Sequence, residues 1–199
     1  MAAYMKDRFV FLGVKTPVRR EVAKDFIAAG KTMAPSEIID VVDECWEQPE
    51  GEFHYVGADF LRRWEAGLDA GHIDDLERYI STQSWWDTVD NLATNVVGPL
   101  VRRHPELTAV MDQFIDDPDF WIARTAILYQ LKYKDGVDEE RLFAYAAMRA
   151  GDTEFFIRKA IGWALRQHSR TNPEAVNAFV RAHEHELSGL SKREALRLL

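Results

Sequence analysis

Apolar residues recur at three- and four-residue spacing along nearly the whole chain, and no stretch shows the strict alternation of a strand. After Ser36 one stripe runs through Ile38, Ile39, Val42, Cys45 and Trp46. Pro49 interrupts it, and Phe53, Val56, Phe60, Leu61 and Trp64 resume it. Ile73, Leu76, Tyr79 and Ile80 mark a shorter helix beyond the glycines at 67 and 71. Ser84 reads as the N-cap of the next, which continues through Leu92, Val96, Val97, Leu100 and Val101. Gly98-Pro99 should kink or divide that helix, because proline removes a backbone donor. Pro105 opens another helix, closed by Asp116-Asp117-Pro118, and the apolar run from Trp121 extends to Lys134. Four more are expected, over about 138–150, 153–170, 173–186 and from a Ser191 cap to the end. Near the start, the short apolar run Phe9–Lys15 turns at Gly13, and Thr16-Pro17 begins a helix with Thr16 as cap. The chain is predicted to be all α.

Helices of this length invite a search for repeats. Three segments align without gaps at an offset of 34 residues or twice that: Phe53–Ala58, Trp121–Ala126 and Phe155–Ala160. Each starts with an aromatic and carries an alanine five positions later. The missing register, 87–92, places Asp90 at the position of Arg124 and Arg158. Such a period favours an α-solenoid of stacked helix pairs, where equivalent positions share one surface.

Composition narrows the class. The 199 residues suit one domain over 1–199 with a sizeable core, and 47% hydrophobic content is that of a folded chain. No apolar run has the length of a membrane span, and the first eight residues lack the apolar core of a signal peptide. A single cysteine, Cys45, fits a reducing, cytoplasmic setting. Net charge is −8, yet it is unevenly placed. Residues 1–31 hold seven basic against three acidic residues, 32–101 three against fifteen, and 102–199 fifteen of each. Nucleic acid is therefore permitted as a partner but not indicated by charge.

The segment with most chemistry is Ser84-Trp85-Trp86-Asp87-Thr88-Val89-Asp90. On a helix Trp86 and Asp90 lie one turn apart on one face, a ring beside a carboxylate, which suits a flat or cationic ligand. By itself the segment reads as readily as buried tryptophans and solvated acids. Arg19 and Arg20 form either a solvated face or a phosphate contact, and Lys192 with Arg193 poses the same choice. His183 and His185 stand two apart, on different helix faces, and make no metal site.

Taken together these runs resemble the bacterial DNA alkylation repair glycosylases of the AlkD type, built from HEAT-like repeats. The likeness rests on Phe11–Arg20, Trp46-Glu47, Glu52-Phe53, Ser84–Asp90, Trp121–Tyr133, Glu154–Arg166, Thr171-Asn172-Pro173 and Leu190–Ala195. It implies a curved α-solenoid of HEAT-like antiparallel helix pairs that removes cationic N3- and N7-alkylpurines from duplex DNA. The family's functional residues fall on Trp86, Asp90, Arg124 and Trp163. An N-alkylated purine is already a cationic leaving group, so a carboxylate opposing charge on the sugar is the group the chemistry needs. Asp90 takes that role in this reading. Trp86 and Trp163 offer aromatic faces to a cationic nucleotide, and Arg124 can hold a phosphate. Arg158 shares the register of Arg124, and Lys159, Arg19, Arg20 and Lys192 complete the expected DNA-binding set. The resemblance further implies no deep base-flipping pocket, no metal, no organic cofactor, no membrane contact and a cytoplasmic, nucleoid-associated monomer. Two alternatives remain: a non-catalytic relative that binds unusual DNA, and a protein-binding scaffold.

Overall fold

The computed structural model describes residues 5–199, and every regular element among them is helical. Residues 1–4, part of the N-terminal stretch read for a leader, lie outside the described residues. The chain divides into two compact units, Met1–Leu100 and Val101–Leu199.

The first unit begins with α1 (Thr16–Val22) and α2 (Lys24–Ala29), followed by the hairpin of α3 (Pro35–Trp46) and α4 (Gly51–Trp64). Next come α5 (Ile73–Ser81) and α6 (Trp86–Leu92). The four-residue link between α3 and α4 makes them neighbours, and Gly57 lets them approach closely. A Cβ at Gly57 would sit 3.0 Å from Cys45 Cβ and from the Trp46 ring. The helices form two layers. In one, Trp46 of α3 packs on Tyr79 of α5 with ring centroids 5.0 Å apart, and its Nε1 donates to the Tyr79 carbonyl. Tyr79 and Arg78 in turn both donate to Asp43. The other layer sets α1, α4 and α6 side by side, joined by Arg19–Asp59 and Tyr55–Asp87.

The second unit repeats this plan with α8 (Thr108–Phe114), α9 (Phe120–Leu128), α10 (Glu139–Met148), α11 (Phe155–His168), α12 (Pro173–Ala182) and α13 (Gly189–Ala195). Asp112 of α8 accepts from Tyr145 and Arg141 of α10, the counterpart of the Asp43 cluster. Phe143 and Phe179 stack at 4.7 Å between α10 and α12. In the other layer Trp121 of α9 meets Phe156 of α11 at 4.8 Å. At Gly162, α11 presses on α13 so closely that a Cβ would lie 2.5 Å from Glu194 Cβ.

The helices α1, α4 and α6 of the first unit start at residues 16, 51 and 86, and α9, α11 and α13 of the second at 120, 155 and 189, a sequence period of 34 or 35 throughout. The all-α solenoid pattern of stacked pairs is thus present, and the 87–92 register falls on α6 as the sequence implies. At the 34-residue offset Arg124 and Arg158 continue to Lys192 in α13.

Helix ends depart from expectation in four places. Ser84 is not a cap: its hydroxyl donates to the Ile80 carbonyl at 2.6 Å, closing α5, while extended Trp85 occupies the cap position of α6. Lys15 precedes α1, with Thr16 as its first residue. Ser188 rather than Ser191 caps α13, accepting from the Ser191 amide at 3.0 Å. The helix from Trp121 stops at Leu128, well before Lys134, which adopts a positive φ of 54°. At Gly98-Pro99 the expected disturbance takes the form of a π-turn, Ala93–Val97, ahead of α7 (Gly98–Arg103). The proline ring clashes with the carbonyl four residues back in a regular helix, and a wider turn relieves that clash.

Candidate nucleic-acid interface

In the first unit the site is built on the opening turn of α6. Trp85 is 3% exposed and belongs to the core, whereas Trp86, the next residue, is half-buried and lines an open pocket of about 380 Å³. Arg19, Arg20, Tyr55, Arg62 and Asp87 share that pocket with it. Asp90 stands one helical turn beyond Trp86 and is also half-buried. Its backbone carbonyl accepts from Thr94 Oγ1 at 2.7 Å, and Asn95 donates to Asn91 Oδ1 at 2.7 Å. The π-turn that follows α6 is therefore tied back by side chains to Asp90 and Asn91, which fixes the end of the helix that holds the carboxylate.

Two carboxylates on α6 have different settings. Asp87 lies under the pocket, where it accepts from the Tyr55 hydroxyl and, at 2.9 Å, from the Thr88 amide. Burial pushes its pKa above the ordinary 3.8 against the opposing pull of Tyr55. Burial first, and then the Asp87 carboxylate, pushes the Tyr55 phenol up as well. The Arg19 guanidinium sits 5.1 Å above the Tyr55 ring and pairs with Asp59 at 3.0 Å. Arg19 is only 9% exposed, so it holds α1 to α4, while Arg20 beside it is largely in solvent.

At the start of α4 another buried acid orders the N-terminal segment. Glu52, 4% exposed, accepts from the amides of Leu12, Gly13 and Val14 at 3.0, 2.9 and 3.1 Å. Gly13 supplies the positive φ of 82° that turns these amides toward one carboxylate.

The second unit holds the remaining residues read from sequence. Arg124 is 3% exposed, and its Nη1 donates to the Phe156 carbonyl in the first turn of α11. It is thus packed between α9 and α11. Arg158 Nε donates to the Asp152 carbonyl at 2.6 Å, and its own carbonyl accepts from Ser191 Oγ at 2.9 Å. Lys159 pairs with Glu194 at 2.6 Å, a carboxylate that also takes Arg166. Lys159 holds the Glu194 pKa below the usual range. Lys192 Nζ reaches the Glu184 carbonyl at 2.9 Å. Trp163, half-buried on α11, lies one turn after Lys159 on the same face.

Within its unit, then, the structure brings Trp86, Arg19 and Arg20 to one pocket, with Asp90 one turn along. It sets Arg124, Arg158 and Lys192 on three adjacent helices. Sequence reasoning missed Tyr55, Asp59, Arg62 and Asp87 as members of the Trp86 pocket. Tyr55, Asp59 and Arg62 recur at helical spacing on α4, a signal that could have grouped them. A pocket with an aromatic wall, cations at its rim and a carboxylate nearby can bind an anionic backbone while opposing positive charge at one point.

The family model described as DNA alkylation repair enzyme matches residues 1–199. Among solved structures, a protein from Enterococcus faecalis described as a predicted DNA alkylation repair enzyme is 31% identical, with a TM-score of 0.93. That match covers 100% of this chain and 92% of the other. The crystal structure of smu.31 from Streptococcus mutans UA159 shares the fold, with a TM-score of 0.70 at 14% identity. It covers 91% of this chain and 97% of that one. No protein of curated function matches the chain.

Proposed function

The chain belongs to the DNA alkylation repair enzyme family, and on that premise we propose that it is a DNA glycosylase for cationic N3- and N7-alkylated purines in duplex DNA. The observation that supports this most is the pairing on α6: half-buried Trp86 in a cation-rimmed pocket, with the Asp90 carboxylate one turn away.

The chemistry follows from the substrate. Alkylation leaves the purine positively charged, so the glycosidic bond breaks without a general acid, and positive charge moves to the deoxyribose. Asp90 opposes that charge and orients the water that completes hydrolysis. Trp86 offers an aromatic face to the cationic nucleotide, and the family likeness gives Trp163 the same kind of role. Arg124, Arg158 and Lys192 contribute positive charge toward the phosphates, and Arg20 does so at the Trp86 pocket. Arg19, buried against Asp59 and Tyr55, positions α1 for this task. Lys159 contacts DNA only by exchanging its Glu194 partner for phosphate.

The test is release of free 7-methylguanine or 3-methyladenine from methylated duplex DNA, measured by chromatography under single turnover. The wild-type chain should release base, and Asp90→Asn should slow release by roughly 10²–10³, about 3–4 kcal/mol of transition-state stabilisation. The near-isosteric amide should leave DNA affinity equal or slightly tighter. Release by the variant at the wild-type rate would remove Asp90 from the chemistry.

A further inference from the structure

A second cleft in the first unit has no part in the reaction described above. It lies between α1, α2 and the C-terminal half of α4, holds about 590 Å³, and is rimmed by Arg20, Lys24, Lys31, Arg62 and Arg63. The acid on its wall, Asp59, is already paired with Arg19 at 3.0 Å. Lys24, Lys31 and Arg62 form no ion pair with any described residue. Five cations therefore face one engaged carboxylate, in the half of the chain where acid otherwise dominates.

The floor is apolar and fixed. Trp64 Nε1 donates to the Ile27 carbonyl at 2.8 Å, and the Arg63 guanidinium lies 4.4 Å over the indole. Gly30 rests against the same ring, where a Cβ would come within 2.5 Å of Nε1. The cations are spread rather than convergent. Lys24 opens α2 and Lys31 stands in the 3-10 turn Gly30–Thr32 that follows it, seven residues on and about 10 Å away at roughly 1.5 Å per residue. A lone phosphate ion needs donors aimed at one point, whereas a phosphodiester strand presents charges in a row. Arg20, Asp59 and Arg62 line both this cleft and the Trp86 pocket, so the two are continuous. Along α4 the step from Tyr55 to Arg62 is again about 10 Å, or about three phosphates of one strand at 3.4 Å each along the axis.

We propose that this cleft holds the sugar–phosphate backbone of the duplex about three nucleotides from the lesion. Lys24, Lys31 and Arg62 meet the phosphates, and Trp64 and Ile27 pack against the deoxyribose. The proposal rests on the reading of the chain as a DNA glycosylase, but its test does not use base release.

The test compares the full chain with its Lys24→Gln/Lys31→Gln/Arg62→Gln variant on a short duplex containing one abasic analogue, by fluorescence anisotropy across a salt series. The slope of log K against log salt should fall by about two to three in the variant, at roughly 0.9 per phosphate lost. Affinity at about 0.1 M salt should fall roughly 10²-fold on the same relation. A charge-preserving Lys24→Arg/Lys31→Arg/Arg62→Lys variant should keep the wild-type slope, and matching thermal melts by circular dichroism establish that all three chains fold. A neutral methylphosphonate about three nucleotides from the lesion should weaken wild-type binding and leave the glutamine variant unaffected. An unchanged slope in the glutamine variant would overturn the proposal. Saturable calorimetric binding of inorganic phosphate, lost in that variant, would also overturn it by making the cleft a small-anion site. A wild-type chain that binds DNA with these slopes but releases no base overturns the glycosylase reading alone.

Discussion

Asp87 and Asp90, three residues apart on one short helix, show how setting rather than residue type decides a role. Asp90 is the acid that the family likeness singles out, while Asp87 is held by Tyr55 and by the start of its own helix. Burial raises the folded pKa of Asp87 above 3.8. A group raised in this way adds stability below its unfolded pKa and loses it as pH climbs through the folded value. Asp87→Asn removes that loss while Asn Oδ1 still accepts from Tyr55. The variant should therefore gain stability relative to wild type as pH rises from below 3.8 toward neutrality, as read from urea midpoints over that range. A difference that stays flat with pH would mean that Asp87 ionises as freely folded as unfolded. Arg124 teaches the complementary lesson. Its residue type and register suggested an open phosphate contact, but its burial between α9 and α11 could not be read from spacing. Arg124→Ala would therefore disturb packing together with any DNA contact.

At the scale of elements, periodicity located the helices well and their ends poorly. The stripes of α3, α4 and α5 could be read because one face of each is buried, and burial imposes a period of 3.6. The ends depend on individual hydrogen bonds that composition does not specify. Ser84 and Ser191 had the right residue type for a cap, but each hydroxyl went to a carbonyl of a neighbouring turn or helix. The contact of α11 with α13 was equally hidden, since a glycine inside a helix reads as a weak point. In the fold Gly162 is the point of closest approach: a Cβ there would lie 2.9 Å from the Ser191 carbonyl as well. Gly162→Ala should thus cost about 1–3 kcal/mol despite the better helix propensity of alanine. Denaturant unfolding would show it, and a stabilised variant would mean that α13 can shift without cost.

For the molecule as a whole, the sequence repeat was visible in only three segments, yet the structural period runs through six helix starts. The gap between the two has a physical cause. Each repeat needs a helix at a set interval and an apolar face, and many residues meet both conditions, so the pattern persists while identities drift. The Asp43–Tyr79 and Asp112–Tyr145 clusters are one device in both units, built from residues that align at no single offset. Charge shows the same difference between total and arrangement. A net −8 gave no hint of five basic side chains around one cleft, because they come from separate stretches of chain that α1, α2 and α4 bring together.

Glu52 gives the segment before α1 a property that its own side chains would not suggest. Leu12 is 58% exposed, and nothing lies within 4 Å of a Cβ built on Gly13. Even so, a single buried carboxylate occupies the amide protons of residues 12, 13 and 14. Solvent can exchange those protons only when the carboxylate lets go, and it lets go of all three together. In deuterated buffer the three amides should therefore exchange slowly and with one common protection factor, opening as a latch does. Glu52→Ala should release them at the rate of an unprotected loop, while amides within α4 keep their protection.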